Sequence, residues 1–117
     1  MGKPPRLSRD NFSIWKNMME VFLNGVDSAL IDTIKEGPFI PKLLVPTSPA
    51  TETTPAIAER YRPKEKEFWS EEDKKQVDVD GKARSIVTMA LPDDIYHSVI
   101  NCQFAKEIWD TLIVLFY

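Results

Sequence analysis

The stretch that decides the fold is AKEIWDTL, residues 105–112. Ala105, Ile108, Trp109 and Leu112 recur at spacings of three and four, and Phe116 continues the series. That is the period of one face of an α-helix. Trp109 sits between two acids, Glu107 and Asp110, and is either the wall of a ligand site or an anchor of the core. The core reading is preferred, because an indole supplies a large area to bury and has apolar partners three or four residues away.

The same period extends outward from this helix. Asp10 or Asn11 caps a helix whose apolar residues Phe12, Trp15, Met18, Met19, Phe22, Leu23 and Val26 follow one face, and Gly25 ends or loosens its last turn. Ser28 to Lys35 reads as a short second helix, stopped by Gly37 and Pro38. Ser70, followed by Glu71, Glu72 and Asp73, is an N-cap with acids at the positive end of a third helix. Its core face is Val79, Ala83, Ile86, Val87, Ala90 and Leu91, and Pro92 ends it. Ile95, Tyr96, Val99 and Ile100 make a fourth helix, and Asn101 and Cys102 turn the chain into the last. No segment alternates with period two, so the expected class is all-α, about five helices in a small lobe. Trp15, Phe22, Ile86, Trp109 and Leu112 are its expected core anchors.

Two segments stand outside this pattern. Residues 1–9 are polar, carry Pro4 and Pro5, and read as a flexible or extended arm preceding a helical domain at 10–117. Residues 37–69 hold six of the nine prolines and are expected to form a long, largely irregular insert between helices two and three. Arg60, Arg62, Lys64 and Lys66, with Tyr61, make a basic strip within it and are candidate nucleic-acid contacts. Glu59, Glu65 and Glu67 interleave with them and nearly cancel the charge.

Composition excludes several functions. The net charge of −3 argues against the whole chain binding nucleic acid, because phosphate contacts need a surplus of Lys and Arg. The single cysteine, Cys102, forms no intrachain disulfide and fits a reducing, cytoplasmic setting. No signal peptide, myristoylation pattern or membrane-length apolar run is present, so no membrane association is expected. His97 and Cys102 lie five residues apart, but nothing in the sequence supplies an oxyanion site for a thiol nucleophile. With Asp93 and Asp94 they do not have zinc-ligand spacing. Asp78, Asp80 and Gly81 resemble part of a calcium loop, but the position that needs glutamate is Met89. These aspartates read as charges on the outer face of a helix. Neither phosphate-binding glycine motif occurs, and no enzyme activity, metal or cofactor is expected.

Phe104, at the N-cap position of the last helix, offers no oxygen to cap it. Beyond Trp109, Ile113, Val114, Leu115, Phe116 and Tyr117 make that helix apolar on every side. A helix of that kind is wholly buried or faces a partner. Ile113, Val114 and Tyr117, off the core face, are therefore candidate interface residues.

AKEIWDTL, preceded by ALPDDIYHSVINC, resembles the Gag region of plant copia-type retrotransposons. The opening KPPRLSRDNFSIWKNMMEVFL is similar to the first helix of that family, and WSEEDKK and the proline-rich insert also fit. The resemblance covers nearly the whole chain, with two departures. Phe104 stands where the family commonly has Thr, and residue 117 falls where the family usually continues into a second lobe. The resemblance implies a capsid-like N-terminal lobe that self-associates into particles or meets full-length Gag. It also implies that RNA is handled by a downstream zinc knuckle rather than by this chain. A host-adopted adaptor or inhibitor of Gag assembly is the alternative.

Overall fold

A computed structural model describes residues 2–117 of the chain. The element order is α1 (Phe12–Val26), α2 (Ser28–Glu36), β1 (Lys42–Val45), β2 (Arg60–Pro63), a single 3₁₀ turn (Lys66–Phe68), α3 (Glu71–Met89), α4 (Asp93–Val99) and α5 (Ala105–Phe116). The protein is mostly helical, with five α-helices. It is not all-α, because β1 and β2 pair as a small antiparallel sheet inside the segment expected to be irregular. The chain divides into two compact units, residues 1–39 with 76–117, and residues 40–75.

In the helical unit, local chemistry sets the breaks. α1 runs through Gly25 and stops at Asp27, whose backbone is extended. The Asp27 carboxylate then accepts the Ala29 N–H at 2.9 Å, so one residue ends α1 and caps α2. Gly37 closes α2 with φ 107°, a backbone conformation that side chains rarely adopt, and its N–H donates to the Thr33 carbonyl at 3.0 Å. Pro92 occupies the N-cap of α4.

The core is built around two tryptophans. Trp15 is fully buried and Trp109 is 3% exposed, with ring centroids 5.6 Å apart. Phe12 stacks on Phe116 at 5.0 Å and holds the start of α1 against the end of α5. Met19, Leu23, Ile34, Val87, Ile108 and Leu112 are among the other side chains closing the cluster. Two of the expected anchors, Phe22 and Ile86, lie only half-buried at its margin.

Residues 2–9 are not a free arm. Leu7 is buried in the same core, and its N–H donates to the Ala90 carbonyl at 2.9 Å. The Pro5 carbonyl accepts the Trp15 indole N–H, also at 2.9 Å. The polar composition concealed this, because one leucine and one carbonyl are enough to dock an extended segment.

In the second unit, Lys42 pairs with Pro63 and Val45 with Arg60. The Lys64 N–H to Pro41 carbonyl bond (2.7 Å), the Ser48–Ile57 bridge and the Thr51 N–H to Thr54 carbonyl bond (2.7 Å) preserve the same register. The expected loop is therefore one hairpin over residues 41–64, turning at Thr51–Thr54. Its prolines interrupt the ladder because they lack the donor that a strand needs, and they mask its signature. At the base, Ser70 and Asp73 form a reciprocal capping box, each backbone N–H donating to the other's side chain at 3.0 Å. The Lys64 ammonium also reaches Asp73, at 3.0 Å, and the Trp69 indole donates to the Lys64 carbonyl. The Ser70 N–H and then Lys64 hold the Asp73 carboxyl below its ordinary range. Its contribution to stability is thus present above the ordinary carboxylate pKa and is lost as pH falls through the lowered value.

The constant register yields a direct test. Replacing residues 46–59 with Asn-Gly leaves Val45 opposite Arg60 across a two-residue turn. Helical circular dichroism is expected to be unchanged, because loop closure depends weakly on length and the core lies outside this unit. Loss of helical signal would show that the hairpin tip supports the helices.

Candidate functional site

α1 carries more apolar surface than its core uses. At about 100° per residue, Val21, Ile14, Gly25 and Met18 fall together. Phe22 follows, and then the arc of Trp15, Val26, Met19, Phe12 and Leu23. The whole arc covers about 200°, roughly twice the width that a core-facing helix needs. Its first half faces solvent, with Ile14 66%, Met18 53% and Val21 73% exposed. Met18 therefore does not belong to the core face expected for it. Lys3, Pro5, Asn17, Met18, Val21 and Phe22 line an open groove of about 490 Å³ on this side.

The end of α5 presents a second apolar surface. Val114 is 77% and Leu115 51% exposed. Tyr117 is exposed as well, although its ring meets Phe12 edge-on at 5.2 Å. Ile113, expected at the interface with Val114 and Tyr117, packs instead against the core and is half-buried. The helix thus leaves positions 114, 115 and 117 exposed.

The basic strip follows β2 and the 3₁₀ turn after it. Arg60 and Arg62 share one face of β2 with Leu43 and Val45 opposite them, while Tyr61 points to the other face beside Leu44. Lys64 is held by Asp73, and Lys66 lies on the 3₁₀ turn. Arg62 and Lys64 line one small pocket with Leu43, Glu65 and Phe68, so the strip is mixed in charge and partly apolar where they meet.

The remaining polar candidates do not converge. His97 is exposed in the last turn of α4, and the half-buried Cys102 thiol lies 4.0 Å from the Thr111 hydroxyl. Asp93 and Asp94 are exposed at the start of α4. Asp94 is paired with Arg9, whose guanidinium holds the Asp94 carboxyl below its ordinary range. Among the described residues, no group of three or more His, Cys, Asp or Glu is placed to hold a metal ion. No helix among them is long and apolar enough to cross a membrane.

One residue read as surface charge is buried. Asp80 is 6% exposed, accepts the Ala105 N–H at 3.1 Å and lies 3.3 Å from the Thr33 hydroxyl. It supplies to α5 the cap that Phe104 cannot. Its position was readable, since residues 80, 83, 87 and 90 make a three-four stripe with Ala83, Val87 and Ala90. Asp78, two residues earlier, is exposed as expected. The candidate site is therefore a pair of unpartnered apolar surfaces rather than a reactive centre. No family model, curated protein or solved structure matches the chain.

Proposed function

We propose that this chain is a non-enzymatic structural domain that self-associates through helix faces, as a capsid-forming Gag lobe does. The observation carrying this reading is the exposed apolar surface on the first and last helices, Ile14, Met18 and Val21 on α1 and Val114 and Leu115 on α5. Contiguous apolar surface of this kind marks interaction sites. Presented on two helices, it supplies more than one weak contact, and symmetry multiplies weak contacts into a shell. The resemblance of AKEIWDTL and FSIWKNMMEVFL to plant copia-type Gag supports the same reading. It implies that RNA is bound by regions other than this chain, in the cytoplasm.

Sedimentation velocity across a concentration series, with electron microscopy of the fast fraction, tests this. The wild type is expected to shift to larger species as concentration rises. Val114→Lys with Leu115→Lys is expected to weaken that shift while keeping the fold, because both side chains lie outside the core. A wild type that remains monomeric throughout removes self-association and leaves the adaptor role, in which these faces meet full-length Gag.

A further inference from the structure

The hairpin tip carries a reactive group that neither the core nor the apolar faces use. Residues 46–49 read Pro-Thr-Ser-Pro, and all four are exposed. Ser48 lies in extended backbone, bridged to Ile57 by two hydrogen bonds of 2.9 and 2.8 Å. Pro49 favours that conformation, because the residue before a proline is pushed out of the helical region. Among the described residues, no hydrogen bond engages the Ser48 hydroxyl. Other hydroxyls of the chain are committed. Thr33 is buried, Ser70 caps α3, and Thr88 and Thr111 donate to carbonyls of their own helices. Thr54 also precedes a proline, but Glu52 stands two residues before it, and its N–H is tied to the Thr51 hydroxyl within the turn. Ser48 alone has a proline at both positions, two before and one after.

From this we infer that Ser48 is a phosphorylation site for a proline-directed serine/threonine kinase. The Ser48 Oγ attacks the γ-phosphorus of ATP, its proton passes to the carboxylate base of the kinase, and ADP leaves. Proline after the acceptor has no N–H to strand in an apolar pocket, whereas any other residue would leave one unpaired there. Pro46 offers a second apolar contact of fixed shape. The tip yields this segment at little cost. Of residues 46–59 only Ile57 is half-buried and the rest are exposed, so releasing Ser48 breaks one bridge and no core packing. The phosphate adds a charge of about −1.5 to −2. Residues 46–59 contain Glu52 and Glu59 but no Lys or Arg, so the new charge meets like charge and weakens the bridge to Ile57. This inference does not depend on self-association.

Incubating the full chain with ATP, magnesium and a mitogen-activated protein kinase, followed by mass spectrometry, tests the assignment. The wild type is expected to gain a phosphate on Ser48, and Ser48→Ala to lose it. Pro49→Ala is expected to slow incorporation roughly tenfold or more, the cost of one unpaired N–H. It should melt as the wild type does, because residue 49 is exposed. A kinase that selects arginine three residues before its acceptor is expected to leave Ser48 unmodified, since Val45 stands there. Hydrogen exchange of the phosphorylated protein should quicken at the Ser48 and Ile57 amides and stay unchanged in the helices. No phosphate on Ser48, or Pro49→Ala modified at the wild-type rate, would overturn the assignment. Equal modification by the arginine-selecting kinase would show that exposure rather than the proline pair selects Ser48, and would overturn it too. A phosphorylated Ser48 with unchanged exchange at Ile57 would overturn the weakening of the bridge.

Discussion

Trp109→Ala is expected to destabilise the protein by about 3–5 kcal/mol, the usual cost of truncating a buried aromatic to alanine. Small domains have a total stability of roughly 5–15 kcal/mol, so the variant should sit near the edge of folding. Two effects combine. The buried indole area returns to water, and the ring against Trp15 is replaced by a void. The void cannot close easily, because Trp15 is fixed from the other side by its hydrogen bond to the Pro5 carbonyl. Trp15→Phe separates that bond from the packing. It keeps an aromatic ring in the core, removes only the donor and part of the volume, and should cost less than Trp109→Ala. Urea unfolding followed by circular dichroism measures both. A Trp109→Ala midpoint close to that of the wild type would mean that the two indoles do not hold the helical unit together.

The helices were legible because burial writes a period into the sequence. AKEIWDTL identified α5, and Ser70 with its three following acids identified the start of α3. What misled was a feature that looks the same whether it is buried or exposed. α1 is apolar over about 200° of its wheel, so periodicity alone does not show which half faces the core, and Met18 faces solvent rather than the core expected for it. The hairpin was hidden for a different reason. Its regular strands are four residues each, too short for alternation to register, with Pro41 and Pro46 on either side of β1 and Pro63 inside β2. Its pairing depends on contacts between residues up to 23 positions apart, from Pro41 to Lys64, which no local pattern records. The apolar ends of α1 and α5 were legible as an excess. Which residues of that excess stay exposed depended on how the helices rotate, and Ile113 turned inward where Val114 and Leu115 did not.

Asp80→Ala is expected to cost about 2 kcal/mol, from the loss of a helix cap and of the acceptor for the buried Ala105 N–H. The cost should fall unequally on its two partners. The Thr33 hydroxyl has one hydrogen and two acceptors in range, Asp80 at 3.3 Å and the Gly37 carbonyl at 3.4 Å. On truncation it turns to Gly37 and loses little. The Ala105 N–H has no such alternative: its residue is fully buried, and Phe104 supplies no side-chain cap. Asp80→Asn keeps an oxygen for Ala105 but removes the negative charge from the start of α5, where it favours the helix dipole. That variant should lose about half as much as Asp80→Ala, since hydrogen bonds to neutral acceptors are worth roughly half those to charged ones. A double-mutant cycle with Thr33→Val should give a coupling under about 0.5 kcal/mol if Ala105 carries the interaction. Strong coupling to Thr33, or an Asp80→Ala variant as stable as the wild type, would show that the buried carboxylate does not cap α5. Hydrogen exchange locates the effect. Faster exchange confined to the first turn of α5 places the loss at the cap, because the other end of that helix is held separately by the stack of Phe116 on Phe12.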